Sequence, residues 1–177
     1  MNTEQHLSTN ANVLEFVTVV AEYCAMLERQ AEHEKDIFVE RMQKLLPLLY
    51  LKASLLPEVR ESEDGFIQAY VTEDDWMAIF LGLKDKLGED NEYLEVFDKR
   101  IEFNAEPIVV SLAENFADIY QDLRDFLTNF HLGTEELVEE ALWKLQSDFT
   151  DHWGQYTVNA LRAIHHIITK QEDSDEL

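Results

Sequence analysis

The chain has 177 residues, 14 of them lysine or arginine against 37 aspartates and glutamates, and 46% of its residues are apolar, with a formal charge of −23. That length and apolar content suffice for one buried core and exclude an acidic disordered chain, while the charge excludes broad contact with a nucleic-acid backbone. No run approaches the roughly 20 apolar residues of a membrane helix, residues 1–10 lack the features of a secretory signal, and Cys24 has no disulfide partner, so a cytoplasmic protein without membrane contact is expected.

Apolar residues recur at spacings of three and four between only five glycines and three prolines. An all-α, single-domain helical bundle of about five or six helices is therefore predicted across 1–177, with 1–10 and 171–177 frayed. The first helix is expected to start near Asn12, with Glu15 reaching back as in a capping box, and to end near Gln30; it presents Val13, Phe16, Val17, Val20, Cys24 and Leu27 on one face. A second begins near Glu34 and carries Ile37, Phe38, Met42, Leu45, Leu49 and Leu56, with a kink or restart at Pro47. Residues 57–72 read as an exposed connection with a possible extended piece over 66–71. Thr72 followed by Glu73, Asp74 and Asp75 predicts a capped third helix reaching about Gly88.

Residues 91–107 stay open: Tyr93, Val96 and Phe97 suit a helical turn, whereas 100–104 suit an extended piece. From Pro107 onward, Leu112, Phe116, Ile119, Leu123, Phe126 and Phe130 form a narrow packing seam. Gly133 stops this helix and Thr134 starts the next, so two long C-terminal helices are predicted to pack antiparallel, the last reaching about Lys170.

Two polar constellations stand out. Glu114, Asp118, Asp122 and Asp125 are spaced so that carboxylates can share a divalent metal, with Asp118 and Asp122 as the metal candidates. Relative to the packing seam, however, Glu114, Asp118 and Asp125 fall outward and only Asp122 flanks the core, which favours a solvated acidic face. On the last helix, Asp148, His152, Gln155, Asn159, Arg162 and His166 follow one another at steps of four and three, a polar stripe able to hold a ligand or to staple neighbouring helices.

Other chemistry finds little footing. His165 and His166 point about 100° apart on a helix, and Asp148 with His152 offers two metal ligands without a matching second pair. Ser54, Ser111 and Ser147 lie in helical runs, and no glycine-rich phosphate loop is present, so no cofactor is expected. Gly154 costs about 1 kcal/mol against alanine within a helix, and close approach of another helix is the expected reason for it.

The phrases Glu15 to Val19, Glu22-Tyr23-Cys24, Leu46 to Ala53, Ala117 to Leu123, and Trp153-Gly154-Gln155 with Val158-Asn159 and Arg162-Ala163 resemble a bacterial family known as domain of unknown function 5063. The resemblance spans nearly the whole chain and implies a compact helical domain without supplying a reaction. Asp118, Tyr120, Asp122, Gln155, Asn159 and Arg162 lie inside these phrases and, with Asp148 and His152, are the binding candidates.

The expected role is a protein-binding or scaffolding module whose partner is a basic protein or a second copy of the chain. The alternatives are a metal-assisted enzyme acting on a phosphorylated small molecule, with Asp118 and Asp122 as ligands and Arg162 neutralising substrate charge, and a structural oligomer. Counted outward from Gly133, Asp118 and Arg162 are offset by 14 residues, about 21 Å along a helix. A straight hairpin would set Arg162 opposite residues near Asn104, Asp118 level with Asp148, and Asp122 near Glu140 to Lys144. Arg162 is expected to be at least half buried and bonded to a carboxylate or carbonyl of a different helix, with Glu15 or Glu22 preferred.

Overall fold

The computed structural model describes residues 6–60, 67–95 and 106–175. It is a helical bundle with one small hairpin laid against it. Helix α1 (Ala11–Glu28) is capped two residues earlier than predicted: Asn10 Oδ1 accepts from the amides of Asn12 and Val13. Asn12 instead donates its Nδ2 to the Leu55 carbonyl at 3.0 Å, and Glu15 pairs with Lys52 rather than reaching back. A short 3-10 turn, Leu7–Thr9, precedes α1 and is held where Ser8 donates its amide to Glu135, so this part of the N-terminal stretch is tied down.

Helix α2 (Lys35–Ser54) runs through Pro47 without the predicted restart. Burial of Leu45, Leu46 and Leu49 around the proline outweighs the one lost backbone bond. Ile37 is exposed, and Leu56 is buried beyond the helix end. α1 packs against both α2 and α4, placing Phe16 among Phe126 and Trp153 at the centre of the core.

The connection after α2 is more firmly held than a free surface loop. Gln146 Nε2 donates to the Pro57 carbonyl, Asn129 Nδ2 to the Gln68 carbonyl, and the amides of Tyr70 and Val71 both donate to Asp125 Oδ1 at 2.7 and 2.8 Å. Residues 67–72 pair in no sheet, and Phe66 lies outside the described residues. Replacing Asp125 by Ala leaves two backbone donors without their shared acceptor, and a loss of about 1–3 kcal/mol is expected. Hydrogen exchange at the amides of 70 and 71 should accelerate in this variant; unchanged protection would show that Asp125 does not hold the segment.

Helix α3 (Glu73–Leu87) starts at the expected capping box, with Thr72 and Asp75 bonding each other's backbone amides, and stops at Gly88, whose φ of 58° favours glycine. It lies along α4. The stretch with no clear helical period holds strand β1 (Glu92–Glu95), paired antiparallel with β2 (Ile108–Ser111) so that Leu94 faces Val109 and Tyr93 faces Val110. β2 occupies residues expected to begin the next helix. The β-branched run Ile108-Val109-Val110 suits a strand.

Helix α4 (Leu112–Leu132) follows, its first turn capped by Ser111 Oγ, which accepts from the Glu114 amide. Asn91 clips the hairpin to this start: its Nδ2 donates to Ser111 Oγ and its Oδ1 accepts from the Ala113 amide. Gly133 and Thr134 turn the chain into α5 (Glu135–Asp148), antiparallel to α4 as expected. A β-carbon at Gly133 would lie 2.7 Å from the Asn129 carbonyl oxygen, so the turn admits no larger residue without moving.

α5 continues through a π turn (Phe149–Trp153) into α6 (Gly154–Asp175), which packs on α2 and α4. Gly154 donates its amide to Phe149 five residues back, and an added β-carbon would sit 2.3 Å from that carbonyl oxygen. The glycine therefore serves the π turn itself, which corrects the expectation of a neighbouring helix. Cys24 is a buried core thiol, pushed up to about 12 by burial and the nearby Glu28.

Candidate functional site

The acidic stripe on α4 is neither a uniformly solvated face nor a metal cluster. Glu114 is exposed, but Asp118, Asp122 and Asp125 are half-buried, each against a different neighbour. Trp76 on α3 donates its Nε1 to Asp118 Oδ1 at 2.9 Å. Burial raises the Asp118 carboxyl above the ordinary aspartate value, the Trp76 bond opposes this, and Glu114 adds to it. Tyr120 donates its hydroxyl to Glu28 of α1.

Asp122 opens on a second recess of about 220 Å³ between α4, α5 and residues 67–69, shared with Asp125, Lys144 and Asp148. The hairpin count holds for Asp122 and Lys144, but Asp148 stands beside Asp122 and not, as counted, level with Asp118. Lys144 gives its ammonium to Asp148 at 2.6 Å to Oδ1. Asp122 receives no hydrogen bond from a described residue, and burial, followed by the charge of Asp148, pushes its carboxyl up to about 7. Asp118 and Asp122 therefore line different recesses. Among the described residues, no group of three or more histidine, cysteine, aspartate or glutamate side chains could hold a metal ion.

The polar stripe of the last helix is likewise divided, because the π turn admits one extra residue between Asp148 and Asn159. Asp148 belongs to the α4–α5 recess, whereas His152 and Gln155 lie on the exposed surface. Asn159, only 6% exposed, accepts from Gln155 Nε2 at 2.7 Å. The side chain of Arg162 is 48% exposed and donates to the Leu94 carbonyl at 2.7 Å and to Glu95 at 3.4 Å, with its guanidinium 5.9 Å from the Tyr93 ring. Its partner is thus strand β1 and not Glu15 or Glu22 of α1; Asn104, which the count had set opposite it, lies outside the described residues.

These contacts frame a polar recess, about 260 Å³, between the hairpin, α4 and α6. Four carboxylates line it: Glu92 and Glu95 from β1, Glu114 and Asp118 from α4. No lysine, arginine or histidine among the described residues does so. Two nearly buried carboxamides, Asn115 and Asn159, and two tyrosines, Tyr93 and Tyr156, complete its walls. Asn115 donates to the Tyr93 hydroxyl, fixing both side chains. Glu95 is only 1% exposed, and Arg162 supplies a counter-charge from behind.

Of the residues nominated from sequence, Asp118 and Asn159 meet in this recess and Arg162 reaches it through Glu95. Glu92, Tyr93, Glu95 and Asn115 were missed. The β-branched run at 108–110 was the available signal, since a strand there needs a partner and 92–95 is the nearby alternating segment.

Fold and recess together define an all-α bundle carrying a hairpin-walled acidic pocket. The chain belongs to the family described as Domain of unknown function (DUF5063), which matches residues 8–170. It is similar to the crystal structure of protein BF1032 from Bacteroides fragilis, at 40% identity and a TM-score of 0.82, over 91% of this chain and 94% of that one. No functionally curated protein matches the chain. No helix among the described residues is long and apolar enough to cross a membrane.

Proposed function

We propose that the protein is a binding module that engages a basic segment of a partner protein at the recess between the hairpin, α4 and α6. The observation that carries this reading is the wall of four carboxylates with no lining cation among the described residues, set in a chain of formal charge −23. A partner's cationic side chains are favoured there by direct attraction, and the surrounding field speeds their arrival. The metal-assisted alternative draws less support, because its two proposed ligands open on separate recesses and Arg162 is engaged with β1.

Binding of fluorescent 12-residue peptides tests the reading. A lysine- and arginine-rich peptide should bind, and its affinity should fall about tenfold or more between low and physiological salt as screening grows. Equal binding of a glutamate-rich peptide, or no binding of the basic one at low salt, overturns it. Self-association without peptide binding, read by light scattering, would favour the structural oligomer instead.

A further inference from the structure

We infer that the recess is an arginine pocket, built for the planar guanidinium of one partner side chain in preference to a lysine ammonium. This rests on the binding-module reading and adds the identity of the group bound. Charge alone would not separate the two cations. The separation comes from three features of the wall.

The first is unused hydrogen-bonding capacity on fixed, buried groups. Asn115 is 5% exposed, lines the recess and spends its Nδ2 on Tyr93, while its Oδ1 accepts from no described residue. A neutral acceptor on so fixed a wall can take a donor brought by the ligand. The second is that Trp76 occupies only Oδ1 of Asp118, leaving Oδ2 beside Glu114 on the α4 wall. Acceptors spread over separate wall positions suit the five fanned donors of a guanidinium better than the three donors of a compact ammonium.

The third is an internal precedent on the same strand. Tyr93 lines this recess and also the neighbouring one that contains Arg162. There the protein's own guanidinium lies over the Tyr93 ring while bonding a carboxylate and a carbonyl of β1. Tyr93 and Tyr156 offer the incoming group the same aromatic and carboxylate surroundings. The volume of about 260 Å³ admits one such side chain and no folded element.

The test compares three lysine-rich 12-residue peptides differing at one central position, which is arginine, lysine or citrulline, with binding read by anisotropy. Side-chain amide NMR signals of Asn115 and Asn159 report occupancy of the recess. The arginine peptide should bind about tenfold more tightly than the other two and should alone shift those signals. Glu114→Gln combined with Asp118→Asn should abolish the preference, whereas Glu58→Gln combined with Glu139→Gln, on exposed surface away from the recess, should preserve it. Equal affinities with unmoved signals overturn the arginine pocket while leaving a basic-partner module standing; failure of all three peptides to bind overturns the module itself. If N-acetylarginine amide alone shifts the signals at the peptide's own affinity, the occupant is a small free guanidine, and the assignment to a protein side chain is overturned.

Discussion

Replacing Asp122 by Asn is expected to raise the unfolding free energy by about 2–4 kcal/mol at pH 8 and by little at pH 4. In the unfolded chain this carboxyl titrates near the ordinary aspartate value of about 3.9, whereas in the folded protein burial and Asp148 push it up to about 7. Between those values the native state keeps a proton that the unfolded state has released. The site's contribution to stability is therefore whole in acid and is lost as pH rises through 7. The full displacement corresponds to roughly 4 kcal/mol, which the opening of the recess to solvent reduces. Asparagine keeps the shape, removes the charge, and leaves the Lys144–Asp148 pair in place. Urea denaturation of both proteins at pH 4, 6 and 8 reads the effect, and a difference that does not grow with pH would show that Asp122 is not the strained group.

Trp153→Ala is expected to cost about 3–5 kcal/mol, the largest loss from any single truncation considered. Trp153 is fully buried, its ring lies 4.6 Å from that of Phe149 and 6.4 Å from that of Phe16, and its Nε1 donates to the Leu145 carbonyl. Truncation empties the centre of the core and removes the indole donor from the Leu145 carbonyl, which keeps the Phe149 amide. A denaturation midpoint within experimental error of the wild type would mean that the surroundings collapse onto the space, contrary to the packing described.

The helices were legible because their burial follows the 3.6-residue period that the apolar residues already display. Leu112, Phe116, Ile119, Leu123 and Phe126 are all buried, as the seam requires. Local chemistry was legible at Thr72 and less so at Asn12, where two neighbouring asparagines can each cap and the choice depends on Leu55, 43 residues away. The hairpin was hidden because four-residue strands carry too few alternations to separate from a helical turn, and only pairing with β2 defines β1. The site suffered most. The acidic stripe was judged by angle around one helix, yet Trp76, Tyr70 and Val71 arrive from other parts of the chain to cover it. Arg162 was sought beside α1 for the same reason: the partner strand had not been recognised.

The π turn ahead of Gly154 acts as a phase shifter between the two ends of one rod. Each residue of a helix turns the chain by about 100°, so one additional residue in this turn rotates everything downstream by that amount relative to α5. With that rotation, Asp148 serves the α4–α5 groove while Asn159 and Arg162, on the same rod, face the hairpin. Were residues 149–153 wound as ordinary α-helix with none removed, the acid-lined pocket's α6 wall would swing away from its β1 and α4 walls, whereas deleting one of the five while restoring α winding would cancel the offset and keep that wall in phase. The alignment of the pocket's α6 wall is in this sense set by the winding of a single turn within the rod.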